Sequence, residues 1–307
     1  EAPPNGLVDE NVFDILPGVA IAVAVAAKQV PHAEGDVQSH DLWGTRSFKF
    51  DWLLRHGVGN TEWAEPNPRA PYYLFAERQL DFQVEYHEYL SLRDIFPFYG
   101  TGIQTSRDDF ATDHARPDLE NRLRRFFDRA ASDGQVAEAF GLSDTRGWKI
   151  KDVRHSSTFE SVRESIIPFL FRAFDVRWIA LTKDIVDWPR LDVMSCVGSE
   201  RIGLLCSRQQ AVPGFRHALV VNAPVDMFCL SNKSREGQTL FPLFVQDAGG
   251  FFQSPGGASW GINLGTTVTH MLETMPSRAN APPRRQQLTE GDARQAFEYV
   301  YAILHSP

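Results

Sequence analysis

The hydrophobic positions near the start of the chain form an almost unbroken run. Residues 18–27 read GVAIAVAVAA and follow a proline at a Pro-Gly break, which favours a turn. Apolar runs rich in β-branched residues are typical of strands that are buried on both faces. The pattern predicts a turn and a buried strand over residues 11–27, with a second strand near Gln38.

A helical period replaces this run in residues 116–131. Apolar side chains recur there at intervals of three and four residues, which predicts an amphipathic helix. Its apolar face comprises Leu119, Leu123, Phe126, Phe127 and Ala130. The opposite face carries Arg122, Arg125 and Arg129. For these arginines, a solvated face with the i,i+4 pairs Asp118–Arg122 and Glu120–Arg124 is favoured over contact with phosphate.

Alternation with a period of two indicates that residues 174–181, FDVRWIAL, form a strand. One face of this strand would carry Phe174, Val176 and Trp178, and the other Asp175 and Arg177. Shorter apolar segments, bounded by polar or Gly/Pro turns, predict further strands at residues 202–206, 218–221, 225–230 and 240–245. The central part of the chain is therefore predicted to be rich in β-structure.

Capping and turn residues mark where other elements begin and end. The sequence STFE at residues 157–160 matches a capping box and predicts a helix that ends before Pro168. The sequence TEGD at residues 289–292 caps a last helix, whose apolar side comprises Ala293, Ala296, Phe297, Val300, Tyr301 and Leu304. Loops are predicted at residues 56–71 and 254–265, whereas residues 82–95 fit either a strand or a helix.

These elements predict a chain of the α/β class in the mixed sense, α+β, in which helices flank β-rich segments. Its 307 residues correspond to about two domains, and the loop at residues 56–71 is the first candidate boundary. The formal net charge is −8, so any nucleic-acid role requires a local basic patch. Residues 145–216 supply one, with 12 basic and 8 acidic residues, whereas residues 1–113 have 8 basic and 18 acidic residues.

The cysteine pattern and the hydropathy pattern bear on the compartment. Cys196, Cys206 and Cys229 lack metal-ligand spacing and resemble buried free thiols, which favours a cytoplasmic protein. The longest apolar run is about half the roughly 20 residues of a membrane-spanning helix, and no signal peptide is recognised. Strand-like and helix-like sequence lies close to both ends, so we expect a fragment of a longer protein.

Several strong catalytic and cofactor motifs do not occur in the chain. It contains no Walker A loop and none of the motifs GxGxxG, CxxC or HExxH. A metal site at Asp108, Asp109, Asp113 and His114 is disfavoured, because adjacent carboxylates diverge and the segment leads into a helix. We therefore assign no catalytic, cofactor-binding or metal-binding residues from the sequence.

Arginine and amide side chains near predicted strand ends are the better candidates for binding. Arginine bonds guanine edges, glutamine and asparagine bond adenine edges, and all of them hold phosphate. The candidates are Arg177, Arg190, Arg208, Gln209, Asn232 and Lys233. Asp175 lies two residues before Arg177 on the same strand face, where it would hold the guanidinium as a base-reading arginine requires. From spacing alone, a plain internal ion pair is slightly favoured.

Five segments resemble a known family in their order along the chain. They are NVFDILPGVAIAVAVA (11–26), DLWGTRSFKFDWL (41–53), IFPFYGTGIQTSRDDF (95–110), FRAFDVRWIALTKDIVDWPRLDVM (171–194) and YVYAILHSP (299–307). Together they resemble the C-terminal half of type ISP and related single-chain restriction-modification enzymes. The segment beginning at Phe171 reads FRAFD where the family pattern is YRPFD, and it retains the arginine at Arg177.

The resemblance implies a domain plan. Residues 1–70 would be the end of an adenine-specific methyltransferase domain with the terminal strands of its sheet, and residues 71–144 a partly helical linking region. Residues 145–275 would form a β-rich target-recognition domain, and residues 276–307 a C-terminal helical segment. The implied function is sequence-specific recognition of double-stranded DNA, with adenine methylation, and possible cleavage, carried out by the parent enzyme.

The resemblance also implies partners and two further site residues. Methyltransferase and nuclease regions would precede this segment in the parent chain, and S-adenosylmethionine would bind to motifs that do not occur here. Arg172 joins the DNA-binding candidates, and Phe13 is a candidate for stacking on a flipped base or for a core position. The alternative is a protein-interaction or scaffold module, which is favoured by the net negative charge and by Trp63, Tyr72 and Tyr73.

Overall fold

A computed structural model describes residues 6, 8–13, 15, 18–25, 35–70, 72–75, 82–207, 217–230, 237–246, 260–274 and 288–306. The chain divides into two compact units, Glu1–Glu88 and Tyr89–Pro307. The described parts of these units contain helices and antiparallel strands, which confirms the mixed α+β class.

The described part of the first unit contains two helices, α1 (Arg46–Arg55) and α2 (Gln83–Glu88). The hydroxyl of Thr45 caps α1 by accepting a hydrogen bond from the backbone N–H of Phe48. Lys49 is buried on this helix, where its ammonium group lies 2.6 Å from the Asp9 carboxylate and donates to the Glu10 carbonyl. These contacts fix the preceding segment against α1.

The strand predicted over residues 11–27 is wrong for the part that the structure describes. Residues 18–25 have no regular structure, and Ile21, Val23 and Val25 are 77%, 75% and 93% exposed. A strand needs a neighbour to accept and donate its backbone hydrogen bonds, and no described strand lies beside this segment. The second strand, near Gln38, is reduced to a single antiparallel bridge between Ser39 and Ala64.

The second unit contains the remaining elements. Its helices are α3 (Leu92–Ile95), α4 (Asp108–Ala111), α5 (Arg116–Phe127), α6 (Asp133–Phe140), α7 (Ile150–Ser156), α8 (Phe159–Arg163), α9 (Leu191–Met194), α10 (Thr266–Thr274) and α11 (Glu290–Leu304). Its strands are β1 (Gly100–Thr101), β2 (Thr112–Asp113), β3 (Ile166–Arg172), β4 (Asp175–Ala180), β5 (Gly203–Cys206), β6 (Ala218–Val221), β7 (Thr239–Pro242), β8 (Phe244–Gln246) and β9 (Trp260–Ile262). Residues 82–95, which were ambiguous in the sequence, thus form the helices α2 and α3.

The strands form antiparallel sheets with the orders β1-β7-β5-β6, β2-β4-β3 and β8-β9. The hairpin β3–β4 pairs Ile166 with Ala180 and, after a bulge, Arg172 with Asp175. Pro168 lies inside β3, so the helix predicted up to this proline is wrong. That helix ends at Arg163, and β3 tolerates the proline because it is an edge strand of its sheet.

Helix α5 confirms its predicted apolar face. Four of the five predicted residues are buried on it: Leu119, Leu123, Phe126 and Phe127. Ala130 lies beyond the end of the helix and is exposed. The polar face differs from the prediction, since Arg122 binds the carboxylate of Asp113 and Arg116 binds Glu120 at 2.9 Å.

The last helix, α11, is capped as predicted. Thr289 and Asp292 form a reciprocal capping box, and Ala293 and Phe297 are buried. The ring of Phe297 packs against Phe96 with centroids 5.8 Å apart. These residues belong to a second hydrophobic core, separate from the core that surrounds α5.

Three predicted strand or loop segments need correction. In residues 225–230, Val225 and Asp226 make single bridges and a turn follows, so no strand forms. Residues 240–245 are divided between β7 and β8, which belong to different sheets. Residues 260–262 form β9 inside the predicted loop, while residues 254–259 lie outside the described ranges. Among the described helices, none is long and apolar enough to cross a membrane.

Candidate nucleic-acid interface

The hairpin β3–β4 places two predicted arginines beside each other. Its bulge lies between Leu170 and Arg172, and its turn contains Phe174, which has a φ of 67° and is 89% exposed. The backbone N–H of Ala173 donates to the carbonyl of Cys229 at 2.8 Å. The turn is therefore fixed to the body of the unit by this bond.

Arg177 is held side-on by Asp175. Its Nε lies 3.2 and 3.1 Å from the two carboxylate oxygens, and its Nη2 lies 2.8 Å from Oδ2. The hydrogen bonds from Arg177 lower the pKa of Asp175, against the opposing effect of burial. The side chains of Arg177 and Asp175 remain 24% and 29% exposed. The structure thus confirms that the two side chains meet as their spacing predicts.

Arg172 is held by a different carboxylate, that of Asp226. Its Nη1 lies 2.7 Å from Oδ1 of Asp226, which also accepts the backbone N–H of Phe228 at 2.8 Å. The backbone N–H of Asp226 donates to the carbonyl of Leu170, and that of Leu170 donates to the carbonyl of Pro224, which brings this carboxylate to the hairpin. Asp226 is only 4% exposed, and burial raises its pKa to about 6.

Both guanidinium groups contact the ring of Phe171. The Cζ atoms of Arg172 and Arg177 lie 3.9 and 3.8 Å from the ring centroid. Such cation–π contacts restrict the orientation of a guanidinium group. We name Phe171, Arg172, Asp175, Arg177 and Asp226 the paired-arginine cluster.

Further basic side chains lie on the elements next to the cluster. His114 Nδ1 is 4.0 Å from Asp175 Oδ1, and Arg116 Cζ lies 5.3 Å from the ring centroid of Trp178 on β4. Arg163 lies 3.8 Å from the carboxylate of Glu120, which also binds Arg116. This part of the unit therefore places two arginines and one histidine near the hairpin.

Arg190 does not join the cluster through any contact that the structure describes. It precedes α9 with a φ of 51°, and its Cζ lies 5.0 Å from the ring of Trp188. Its Nε is buried and has no hydrogen-bond partner within the described residues.

The other predicted site residues are not tested by this geometry. Arg208, Gln209, Asn232 and Lys233 lie outside the described residues. Phe13 belongs to the first unit, is 57% exposed, and donates its backbone N–H to Asn11 Oδ1. Phe13 does not occupy a core position within this structure, and its role in base stacking stays a prediction.

The acidic segment that contains Asp108, Asp109, Asp113 and His114 makes contacts with other residues of this chain. Asp108 accepts a hydrogen bond from the hydroxyl of Thr105, and Asp113 binds Arg122. No group of three or more His, Cys, Asp or Glu residues in the described ranges has the arrangement of a metal site. The thiols of Cys206 and Cys229 are buried, which raises the pKa of each to about 12.

Sequence reasoning missed two members of the cluster. Asp226 lies 54 residues after Arg172, and its predicted strand gave no sign of this contact. Phe171 lies within the FRAFD segment, where the combination of aromatic and basic residues was the available signal.

Comparison with known proteins gives one family and several similar structures. The family described as "Type ISP C-terminal specificity domain" matches residues 94–307. A cryoEM structure of a DrdV–DNA complex is similar over 89% of this chain, with 19% identity and a TM-score of 0.58. The ATP-dependent type ISP restriction-modification enzyme LlaBIII bound to DNA is similar over 89%, with 16% identity and a TM-score of 0.54. A search of curated proteins gave no match.

The two structures show that the fold is shared. They belong to chains that are much longer than the present one. The matched region covers 27% of the DrdV chain and 18% of the LlaBIII chain. The present chain thus spans about a quarter or less of the length of these similar proteins.

Proposed function

Because the chain belongs to the type ISP C-terminal specificity domain family, we propose that it is the target-reading part of a restriction-modification enzyme and binds double-stranded DNA. The longer protein would methylate adenine with S-adenosylmethionine, and its nuclease region would cleave DNA. The motifs for catalysis and for that cofactor do not occur in this sequence, so no residue of this chain is assigned to either.

The observation that carries the proposal is the paired-arginine cluster. Two partly exposed guanidinium groups lie side by side on a hairpin, and each is oriented by its own carboxylate. Base readout requires donors whose geometry is fixed before the DNA arrives, because a mobile side chain loses entropy on binding. Arginine is also the side chain best suited to guanine edges and to phosphate.

The nearby cations supply the sequence-independent part of binding. Arg116 and Arg163 share Glu120, so their charge is only partly neutralised inside the protein. Contacts from such residues to phosphate release counterions, which makes affinity fall steeply as salt concentration rises. The net charge of −8 does not oppose this, because recognition depends on the local surface.

The test is fluorescence anisotropy of a labelled random duplex titrated with this chain across a salt series. We expect binding at low salt and a steep loss of affinity as salt increases. The double variant Arg172→Ala/Arg177→Ala should weaken binding and reduce the salt slope by about 1 for each of the two side chains that touches phosphate. Arg294→Ala is the matched control, because Arg294 lies on α11 and contacts Glu200 and Phe244 instead.

A second surface has a different composition and supports a different partner. In the first unit, Ile21, Val23, Val25 and Leu54 are largely exposed, as are Tyr72 and Tyr73. Exposed apolar groups of this kind mark protein interfaces. We propose that this unit docks against the methyltransferase and nuclease regions of the parent chain. Hydrogen exchange of residues 18–25 should be slower in the full-length protein than in this chain; equal exchange would contradict the docking.

Absence of duplex binding at low salt would favour the protein-interaction module over the DNA reader. Binding that is unchanged in the double variant would show that DNA is bound elsewhere on the chain.

A further inference from the structure

We propose that Arg177 recognises a guanine base in the target through its two terminal nitrogens, and that Asp175 is the positioning residue for this contact. The inference rests on the proposed function, since it names the base that the same site reads.

The hydrogen bonds inside the protein determine which donors of Arg177 remain. Asp175 occupies Nε and one N–H of Nη2, along one side of the guanidinium plane. Nη1 has no hydrogen-bond partner among the described residues. The N–H groups left at the end of the side chain, one on Nη1 and one on Nη2, point in parallel.

A parallel pair of donors matches guanine and does not match adenine. In the major groove guanine presents two adjacent acceptors, O6 and N7. Adenine offers N7 beside the N6 amino group, a donor that would face a donor of Arg177. Because the side-on contact with Asp175 leaves this end free, the ion pair and the base contact are compatible.

The surroundings of Arg177 fix the direction of that free end. Asp175 belongs to the same strand, so the distance between the two residues is set by β4 itself. The Phe171 ring lies 3.8 Å from Cζ and covers one side of the guanidinium group. The side chain is nevertheless 24% exposed, so a base edge can reach it.

Arg172 provides an internal contrast. Its Nη1 donates to Asp226 and to the carbonyl of Phe171, so its terminal end is occupied by the protein. The donors that remain are on Nε and Nη2, at the side of the guanidinium group. Two oxygens of one phosphate group can accept hydrogen bonds from these two nitrogens. We therefore assign the base to Arg177 and a phosphate to Arg172.

The experiment begins with selection of preferred sites from a randomised duplex pool by this chain. Each guanine of the selected site is then replaced, one at a time, by 7-deazaguanine, which lacks the N7 acceptor, or by inosine, which keeps O6 and N7. At one guanine we expect 7-deazaguanine to weaken binding of the wild-type chain about tenfold or more, and inosine to have little effect.

Variants then assign that guanine to Arg177. Arg177→Ala should bind the normal and the 7-deazaguanine duplexes equally, and Arg177→Lys should retain the salt slope while losing most of the preference. Asp175→Asn should reduce the discrimination at the same position and leave preferences elsewhere unchanged. Arg172→Ala is the matched control, which should weaken binding to both duplexes by the same factor.

The outcomes separate the two levels of the proposal. Site selection without any guanine that responds to 7-deazaguanine would overturn the inference and leave the DNA-reading function standing. The inference is also overturned, and the DNA-reading function left standing, if 7-deazaguanine weakens binding of Arg177→Ala by the same factor as it weakens binding of the wild-type chain. A chain that selects and binds no duplex overturns both. The two modified bases test the wild-type chain directly, so the first result does not depend on the variants folding.

Discussion

At the scale of single residues, the pKa values of the two carboxylates in the paired-arginine cluster are shifted in opposite directions. Hydrogen bonds from Arg177 lower the pKa of Asp175, so this group stays ionised at neutral pH. Burial raises the pKa of Asp226 to about 6, so this group begins to take up protons not far below neutrality. Acidification therefore changes the partner of Arg172 before that of Arg177.

The raised pKa of Asp226 predicts a specific pH dependence of stability. Between about pH 4 and 6 this residue is ionised in the unfolded chain but protonated in the folded one. Its contribution to the free energy of unfolding is complete below about pH 4 and falls by about 2–3 kcal/mol as pH rises through 6. Asp226→Asn should abolish this decline while keeping an oxygen acceptor for Arg172.

The measurement is urea unfolding of the wild-type chain and of Asp226→Asn between pH 4 and 7. The quantity compared is the difference between their free energies of unfolding at each pH. Subtraction removes the contributions of the other carboxyl groups, which titrate alike in both. A difference that does not vary with pH would mean that the pKa of Asp226 is the same in the folded and unfolded chains.

At the scale of elements, one close approach of two backbones supports the cluster. A Cβ on Gly102 would lie 2.5 Å from the carbonyl oxygen of Asp226 and 2.6 Å from the backbone nitrogen of Met227. Neither segment can yield as a side-chain end could, because the backbone of Ile103 is bonded to Val225 and Met227. This glycine therefore permits the segment that carries Asp226 to reach the hairpin.

Gly102→Ala should destabilise the protein by about 1–3 kcal/mol and weaken DNA binding, because the segment that carries Asp226 must shift. Gly134→Ala on α6 is the matched control, since a Cβ there meets nothing within 4 Å, and it should be neutral or slightly stabilising. Thermal unfolding and the duplex titration measure both effects. Equal stability of the two variants would contradict the close approach.

Arg154 connects two helices and carries a second prediction at this scale. It is 2% exposed, binds the Asp133 carboxylate at the start of α6, and donates to the carbonyls of Asp128 and Ala131 after α5. Arg154→Met should cost about 3 kcal/mol or more, because the carbonyls lose their donor and Asp133 its cation. Arg163→Met, at a half-exposed arginine, is the control. A similar loss of stability in both variants, measured by urea unfolding, would show that Arg154 does not connect the two helices.

Elements with a strong local pattern were the ones that the sequence could predict. The buried stripe of α5, the capping box of α11 and the alternation in β4 each depend on residues a few positions apart. Pro168 was misassigned because its tolerance depends on β3 being an edge strand, which is a property of the whole sheet. The segment 18–25 failed for the same reason, since no described strand pairs with it.

The candidate site divides in the same way. The contact between Asp175 and Arg177 follows from a spacing of two on one strand, so it was predictable. The contact between Arg172 and Asp226 depends on bridges between distant segments, which no local pattern encodes.

At the scale of the whole molecule, both hydrophobic cores found among the described residues belong to the second unit. The residues of both cores lie between positions 92 and 304, and the family match begins at residue 94. We therefore expect residues 89–307 to fold without residues 1–88. Circular dichroism and urea unfolding of this fragment should show one cooperative transition near that of the full chain. A fragment without cooperative unfolding would mean that the first unit is part of its folding.

The two arginines of the cluster differ in how far each depends on the rest of the molecule. Arg177 and its carboxylate lie on one hairpin, whereas the carboxylate that holds Arg172 comes from 54 residues away. Transplanted into another scaffold, the hairpin Ile166–Ala180 would carry the Arg177 contact intact and leave Arg172 without its partner. Exchange of this hairpin between related proteins would therefore transfer the contact between Arg177 and Asp175. It would not transfer the contact between Arg172 and Asp226.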